Sequence, residues 1–341
     1  MAVIDHTRRA MLTGAAGAAA LTGSGAYAQS SPTRPPEPGF WRSDFRTTKQ
    51  RDGQAIELVI YRKRTEAPVA GAPAKPVLFL VHGSSNSAMS TFDLVLKDGA
   101  YSSMNAFARA GFDVWTMDHE NYGRSARTSG NSDIASGAED LKAAADVILR
   151  ETGHQRISLL GHSSGGLRAA VFAVRYPDRV DRLGLGAYTY TGKGSPTLAE
   201  RAKQLDFFRT NIRRTRNRDM IRSIFTRDRP GTADPEVAEA MADQELVFGE
   251  SVPTGTYLDM TANLPVVKPQ DLNCPVLMIR GEYDGIATNE DLLDFYGQLP
   301  NGDKHYVIIP ATAHTLTTNK NRAMVEHAVT AFMTMPRVIP V

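Results

Sequence analysis

The chain has 341 residues, 42% hydrophobic and 22% charged, enough apolar side chain for a large core in one big α/β domain or two smaller ones. With 39 Lys and Arg against 37 Asp and Glu, the net charge of +2 is too slight over this length to point to a nucleic acid or a membrane surface as partner. Cys274 is the single cysteine, so no intramolecular disulfide can form and stability rests on the core.

Residues 1–28 read as an export signal. Thr7-Arg8-Arg9-Ala10-Met11-Leu12 sets paired arginines before a mildly apolar stretch from Ala10 to Leu21, and Ala26-Tyr27-Ala28 forms an A-x-A cleavage site. The stretch is too short and too weakly apolar to be a stable membrane anchor. It resembles a bacterial twin-arginine signal, which implies a mature chain beginning at Gln29 in the periplasm or outside the cell. A Pro-rich tether follows over 29–39.

Two strands are predicted over Phe40 to Lys49 and Ala55 to Lys63, joined by the hairpin turn Asp52-Gly53. The run Val77-Leu78-Phe79-Leu80-Val81 is apolar without a break, as in a strand covered on both faces. Strands and helices then alternate: a strand from Asp113 to Met117, a helix from Ala135 to Glu151, strands at Ile157 and at Val180 to Ala187. After a long interruption come a strand at Val276, a helix from Asn289 to Leu299, a strand from His305 to Ile309 and a closing helix from Asn319 to Met333. Cys274, just ahead of the Val276 strand, reads as a small buried residue rather than a reactive thiol.

This rhythm predicts a doubly wound, mostly parallel sheet of about eight strands, with its core over 40–190 and 269–341. Residues 191–268 break the rhythm and read as a helical lid inserted over the carboxyl ends of the strands. Within it, Thr197-Leu198-Ala199-Glu200 reads as a capping box, and Asp234-Pro235 as an N-cap with proline at the first helical position.

Chemistry concentrates at Gly161-His162-Ser163-Ser164-Gly165, which lies between the Ile157 strand and a helical pattern from Leu167 to Val174. A strand turning sharply into a helix holds one side chain exposed at the hinge, and small residues two positions either side permit the turn. Ser163 is therefore the predicted nucleophile. A serine hydroxyl needs a general base and a group that orients that base. Of the eight histidines, His314 alone sits on the loop after the last strand; His82 and His162 belong to turns beside the site, where they pack. The orienting acid is Asp284, with Glu282 as its rival. Donors for an oxyanion are the backbone amide of Ser164 and one from Val81-His82-Gly83-Ser84-Ser85, either Ser84 or Ser85.

These features resemble the α/β-hydrolase fold, in its lid-bearing serine-hydrolase form. The likeness covers about Pro76 to Met333 and includes the His82-Gly83 loop, Asp118 to Ser125, the elbow, Asp284 and His314. It implies the order nucleophile, acid, base found here, and a carboxylic ester hydrolase acting through an acyl-serine intermediate without metal or organic cofactor. In relatives the second segment usually reads D-x-x-G-x-G-x-S; Asn121 replaces the first glycine, a residue that also accepts positive φ. An HGGG oxyanion loop is absent. Serine at the elbow, where dehalogenases and epoxide hydrolases of this fold carry aspartate, argues against those reactions.

The expected partner is a small-molecule ester, with no nucleic acid. A lactone, amide, thioester or carbon-carbon bond as the target, or a ligand-binding role with little turnover, remain alternatives. Eight arginines between Arg209 and Arg229 form either a solvated helix face or a field that steers anions. Phe207, Phe208, Tyr188 and Tyr190 either line an acyl pocket or pack the insertion on the core. His119-Glu120 lacks the second histidine of a metal motif, and no phosphate loop, dinucleotide fingerprint or zinc spacing occurs. Acyl and alcohol preference and oligomeric state leave no mark in the sequence.

Overall fold

The computed structural model describes residues 37–339. The export signal predicted for 1–28 and most of the tether lie outside the described residues. Strands β1 (Trp41–Arg51) and β2 (Gln54–Arg64) form an antiparallel hairpin whose Arg51 faces Gln54. Asp52 and Gly53 both take positive φ, 51° and 74°, the conformation a two-residue hairpin turn demands.

Strands β3 (Val77–Val81), β4 (Asp113–Asp118), β5 (Ile157–His162) and β6 (Val180–Gly186) precede a small ribbon, β7 (Arg213–Thr215) with β8 (Ser251–Pro253), and then β9 (Val276–Gly281) and β10 (Lys304–Ile309) follow. The main sheet runs β1-β2-β4-β3-β5-β6-β9-β10, antiparallel at β1/β2 and β2/β4 and parallel elsewhere.

The apolar runs are explained by burial on both faces. In β3, Val77, Phe79 and Val81 join one core, and Leu78 and Leu80 join the other. In β9, Val276 and Met278 face the first core, and Leu277 and Ile279 the second. Each such side chain removed from water contributes about 1.5–3 kcal/mol, which fixes register as well as stability. Helices Ile134–Thr152 and Ser164–Arg175 cover one face, while Ser103–Arg109 and Arg322–Met333 cover the other.

Helix ends follow local chemistry. Asp133 caps Ile134–Thr152 by accepting from the Ser136 amide at 2.7 Å, and Gly153 closes it at φ 73°. The closing helix starts three residues later than predicted, at Arg322, because buried Asn319 is engaged in a turn: its side chain accepts from the Asn321 amide at 2.6 Å and donates to the Leu316 carbonyl at 2.5 Å.

Between β6 and β9 the chain forms helices Pro196–Ala202, Leu205–Thr210, Arg218–Thr226, Pro235–Leu246 and Gly255–Ala262, together with the β7/β8 ribbon, which the sequence reading did not anticipate. The first helix opens at Ser195, not at the Thr197 capping box. Ser195 Oγ accepts from the Leu198 amide at 3.0 Å, and Pro196 takes the first helical position. Asp234 does precede Pro235, yet its carboxylate makes no cap bond; it accepts from the Tyr101 hydroxyl and lies near Lys97 and Lys320. Ile221, Ile224, Phe225, Val237 and Met241 pack on Leu94 and Tyr101, so the insertion shares a core with the sheet domain. Buried Glu245 pins it further, accepting from the Ser87 amide at 2.6 Å and pairing with Arg216.

No helix among the described residues is long and apolar enough to cross a membrane.

Candidate active site

The sheet topology creates the site. From β3 the strand order runs one way to β4 and the other way to β5, so the loops after β3 and β5 diverge and leave a crevice at their carboxyl ends. Val81 pairs with Gly161, which brings the His82-Gly83-Ser84 turn beside the start of the helix Ser164–Arg175.

Ser163 occupies the hinge between β5 and that helix with φ 58° and ψ −130°, a strained conformation for a residue with a Cβ. Its amide donates to the Gly186 carbonyl at 2.8 Å, and its carbonyl accepts from the Gly166 amide at 2.8 Å. The flanking glycines are needed for space, not for φ. A Cβ on Gly161 would lie 2.5 Å from the Gly166 amide nitrogen, and one on Gly165 would lie 2.6 Å from the His82 carbonyl oxygen and closer still to that of Val81.

Ser163, His314 and Asp284, far apart in sequence, meet in one hydrogen-bonded chain. Ser163 Oγ lies 2.9 Å from His314 Nε2, while His314 Nδ1 lies 3.0 and 3.1 Å from the two Asp284 oxygens. A carboxylate can only accept, so Nδ1 carries the ring proton and Nε2 accepts from the serine hydroxyl. Burial pushes the Asp284 carboxyl up, but His314, the Ile286 amide and Arg227 outweigh it and hold the group below the usual carboxylate value. Glu282, the rival acid, is exposed and accepts from the Ala311 amide at 2.7 Å instead.

The loop after β3 is locked to the elbow. Ser84 Oγ lies 2.7 Å from Ser164 Oγ and accepts from Thr256 at 2.8 Å, and the Ser84 carbonyl accepts from the Tyr122 hydroxyl at 2.6 Å. Ser85 instead points its hydroxyl to Tyr257, 2.7 Å away. Neither the Ser84 nor the Ser164 amide donates to an acceptor among the described residues.

His82 and His162 both pack, as predicted, and each does more. His162 Nε2 donates to the His314 carbonyl at 3.0 Å, and burial followed by the nearby His314 pushes its pKa down to about 4, so the ring is neutral. His82 accepts from the His119 amide at 3.1 Å. Beneath it, His119 Nδ1 meets Asp140 at 3.0 Å and Lys49 meets Asp140 and Glu120 at 2.7 and 2.8 Å, a buried polar network that reaches the surface through Arg51 on Glu120. In the Asp118 to Ser125 segment, Asn121 takes φ 69°, as its place in the motif requires, and Asp118 accepts from the Ala88 and Arg124 amides, both at 2.9 Å.

Other predicted contributors fall elsewhere. Phe208 stacks on Tyr257 with ring centroids 5.6 Å apart, and Tyr188 and Tyr190 both pack on Phe295, so these three serve packing, while Phe207 is exposed. Cys274 is half-buried, and burial pushes its thiol up to about 12, which leaves it inert. Of the eight arginines, Arg209, Arg218 and Arg222 pair with acids on the solvent face. Arg227 lines the crevice beside Ser163, His162 and His314, and so does Arg201, which the sequence reading passed over.

A family model described as serine aminopeptidase, S33, matches residues 72–321. The chain belongs to this family. Among curated proteins it is similar to a monoacylglycerol lipase of Mycolicibacterium smegmatis, 23% identical over 67% of this chain and 80% of that protein. It is also similar to a 2-hydroxy-6-oxononadienedioate/2-hydroxy-6-oxononatrienedioate hydrolase of Paraburkholderia phymatum, 35% identical over 112 residues, a match spanning 35% of that relative's length. Among solved structures, a bromoperoxidase from Bacillus anthracis superposes with TM-score 0.61 at 19% identity, covering 85% of this chain and 99% of that one. A carboxylesterase from Bacillus subtilis superposes with TM-score 0.59 at 17% identity, covering 87% and 93%. The fold is that of the α/β hydrolases, and members of this family are hydrolases.

Proposed function

We propose that the protein is an exported serine hydrolase that cleaves carboxylic ester bonds through an acyl-serine intermediate. The observation that carries this reading is the chain of contacts from Asp284 through His314 to Ser163 Oγ, 3.0 and 2.9 Å long, at the mouth of the switch-point crevice. Ser163 Oγ attacks the ester carbonyl carbon while His314 Nε2 takes its proton; Asp284 holds the imidazole and balances the charge it gains. The carbonyl oxygen becomes an oxyanion, received by the amides of Ser84 and Ser164, the latter at a helix N-terminus. Collapse breaks the bond to the alcohol, whose oxygen leaves with the proton from Nε2. Water then repeats the sequence on the acyl-serine, and carboxylic acid and free Ser163 are released.

Export rests on the twin arginines, apolar stretch and Ala-Tyr-Ala site of the N-terminus. We assign residues 191–268 as the lid of this enzyme, since Arg201, Ile224, Arg227 and Met241 border the same crevice as Ser163.

The family description raises a second reading, removal of N-terminal residues from peptides. An aminopeptidase has to receive an α-ammonium group, and the crevice lining contains two arginines and no carboxylate. The charge therefore favours the ester. Release of alcohol from short alkyl and aryl esters, compared with release from aminoacyl anilides, tests the choice. Ester turnover that is abolished by Ser163→Ala is expected; anilide turnover exceeding ester turnover contradicts it.

A further inference from the structure

The crevice beside Ser163 carries charge of one sign, and its two cations are held differently. Arg227 Nε lies 3.1 Å from Asp228, which partly neutralises it. Arg201 is attracted by Asp228 too but makes no bond to it: among the described residues no carboxylate or carbonyl accepts from its guanidinium, which lies over the Tyr257 ring at 5.1 Å from the centroid. The side chain is half-buried, and burial followed by the like charge of Arg227 pushes its pKa down to about 10. A cation drawn partly out of water beside Arg227 and Arg214, opposed only by an Asp228 already bonded to Arg227, is short of the counter-charge that such a site needs.

Its position is fixed by the core. Arg201 sits on the helix Pro196–Ala202, whose start is fastened to the loop that bears Asp284: Ser195 Oγ donates to the Gly285 carbonyl at 3.1 Å and the Thr197 amide donates to it at 3.2 Å. Asp228 packs on the same glycine, where a Cβ would lie 2.6 Å from its Oδ1. Both arginine-bearing segments therefore dock against the Asp284 loop, and their placement relative to Ser163 does not depend on a free surface chain.

From this geometry we infer that Arg201 is the anion-binding residue of the site, and that the substrate is an ester bearing a carboxylate near its scissile carbonyl. A guanidinium offers two parallel N–H donors that match the two oxygens of a carboxylate, and the field of Arg227 adds to the attraction. The arginines of the outer face, already paired with acids, have no part in this. The inference names the substrate class of the hydrolase reading and rests on it.

Binding to the Ser163→Ala protein, which cannot turn the ester over, tests the subsite apart from the chemistry. Calorimetry compares monoethyl glutarate with ethyl pentanoate, its uncharged counterpart of equal length. The half-ester is expected to bind at least about tenfold more tightly, as one charge-assisted fork allows. Adding Arg201→Gln brings that ratio close to one, Arg201→Lys keeps part of it, and Arg209→Gln, on the solvent face, leaves it intact. The preference persists at about 0.5 M salt, where a merely long-range field is screened. Equal binding of the two esters, or a ratio unmoved by both Arg201 variants, overturns the inference. Should the preference hold while protein with Ser163 intact hydrolyses neither ester, the ester-hydrolase reading falls and the anion site stands.

Discussion

Replacing Ser163 by glycine and, separately, by alanine divides the strain at the elbow from the loss of the hydroxyl. Both variants forfeit the 2.9 Å contact with His314, so their difference reports the backbone alone. At φ 58° and ψ −130° a residue with a Cβ is strained by about 1–3 kcal/mol. Against this, glycine gains more freedom on unfolding, which costs the folded state about 0.5–1 kcal/mol. The balance makes the glycine variant more stable than the alanine variant by about 1 kcal/mol, roughly 2 °C in midpoint for a domain of this size. Urea and thermal unfolding followed by circular dichroism measure it. The sign is what matters, because at an unstrained position it reverses: Gly297→Ala, near the end of a helix with open space around it and no positive φ, should stabilise by about 0.5 kcal/mol. An alanine variant at 163 more stable than the glycine variant would refute the claim that the elbow is strained.

Three further outcomes are expected. Gly165→Ala drives a methyl into the carbonyls of Val81, the last residue of β3, and of His82 in the turn after it, and should destabilise by about 3 kcal/mol while displacing Ser163; a variant as stable and active as the parent contradicts the packing account. Asp284→Asn should lower ester kcat by about 10³–10⁴-fold with little change in folding, whereas Glu282→Gln should alter it less than about threefold; equal losses would reopen the choice of acid. Acid should destabilise the fold through His162. Its folded pKa of about 4 lies below the ordinary 6.5, so the unfolded chain binds the proton first, and stability complete above pH 6.5 is lost as pH falls toward 4, by about 3 kcal/mol. Urea titrations at several pH values should show a shallower slope in His162→Gln; identical slopes would contradict it. Buried His82 and His119, both held well below their usual value by burial, titrate in the same direction and leave a residual slope.

Features that depend on neighbours in sequence were legible before the fold was known. The unbroken apolarity of Val77 to Val81 announced a strand covered on two faces, Asp52-Gly53 its hairpin, and Gly161 to Gly165 a turn that only small residues allow. Placement at strand ends singled out, among eight histidines, the one whose Nε2 lies 2.9 Å from Ser163 Oγ. What escaped notice depends on docking across the chain. Thr197 to Glu200 has the form of a capping box, yet Ser195 and Pro196 open that helix, because Ser195 bonds both its own helix and the Gly285 carbonyl. Nothing local distinguishes Arg201 from the arginines around it; only the anchoring of its helix turns it into the crevice. His162 reads as a filler of the elbow motif, and its bond to the His314 carbonyl exists because the loops after β5 and β10 converge. The ribbon of β7 with β8 is three residues a side, too short for alternation to register.

The account stands on Ser163 becoming covalently acylated. Rapid mixing with 4-nitrophenyl acetate, an acid quench and peptide mass spectrometry measure that step directly. The acyl group is expected on the peptide containing Ser163, formed in a burst ahead of steady turnover and absent when His314 is replaced by alanine. An acyl group on another residue, or turnover with no acyl-protein at any time, would contradict it.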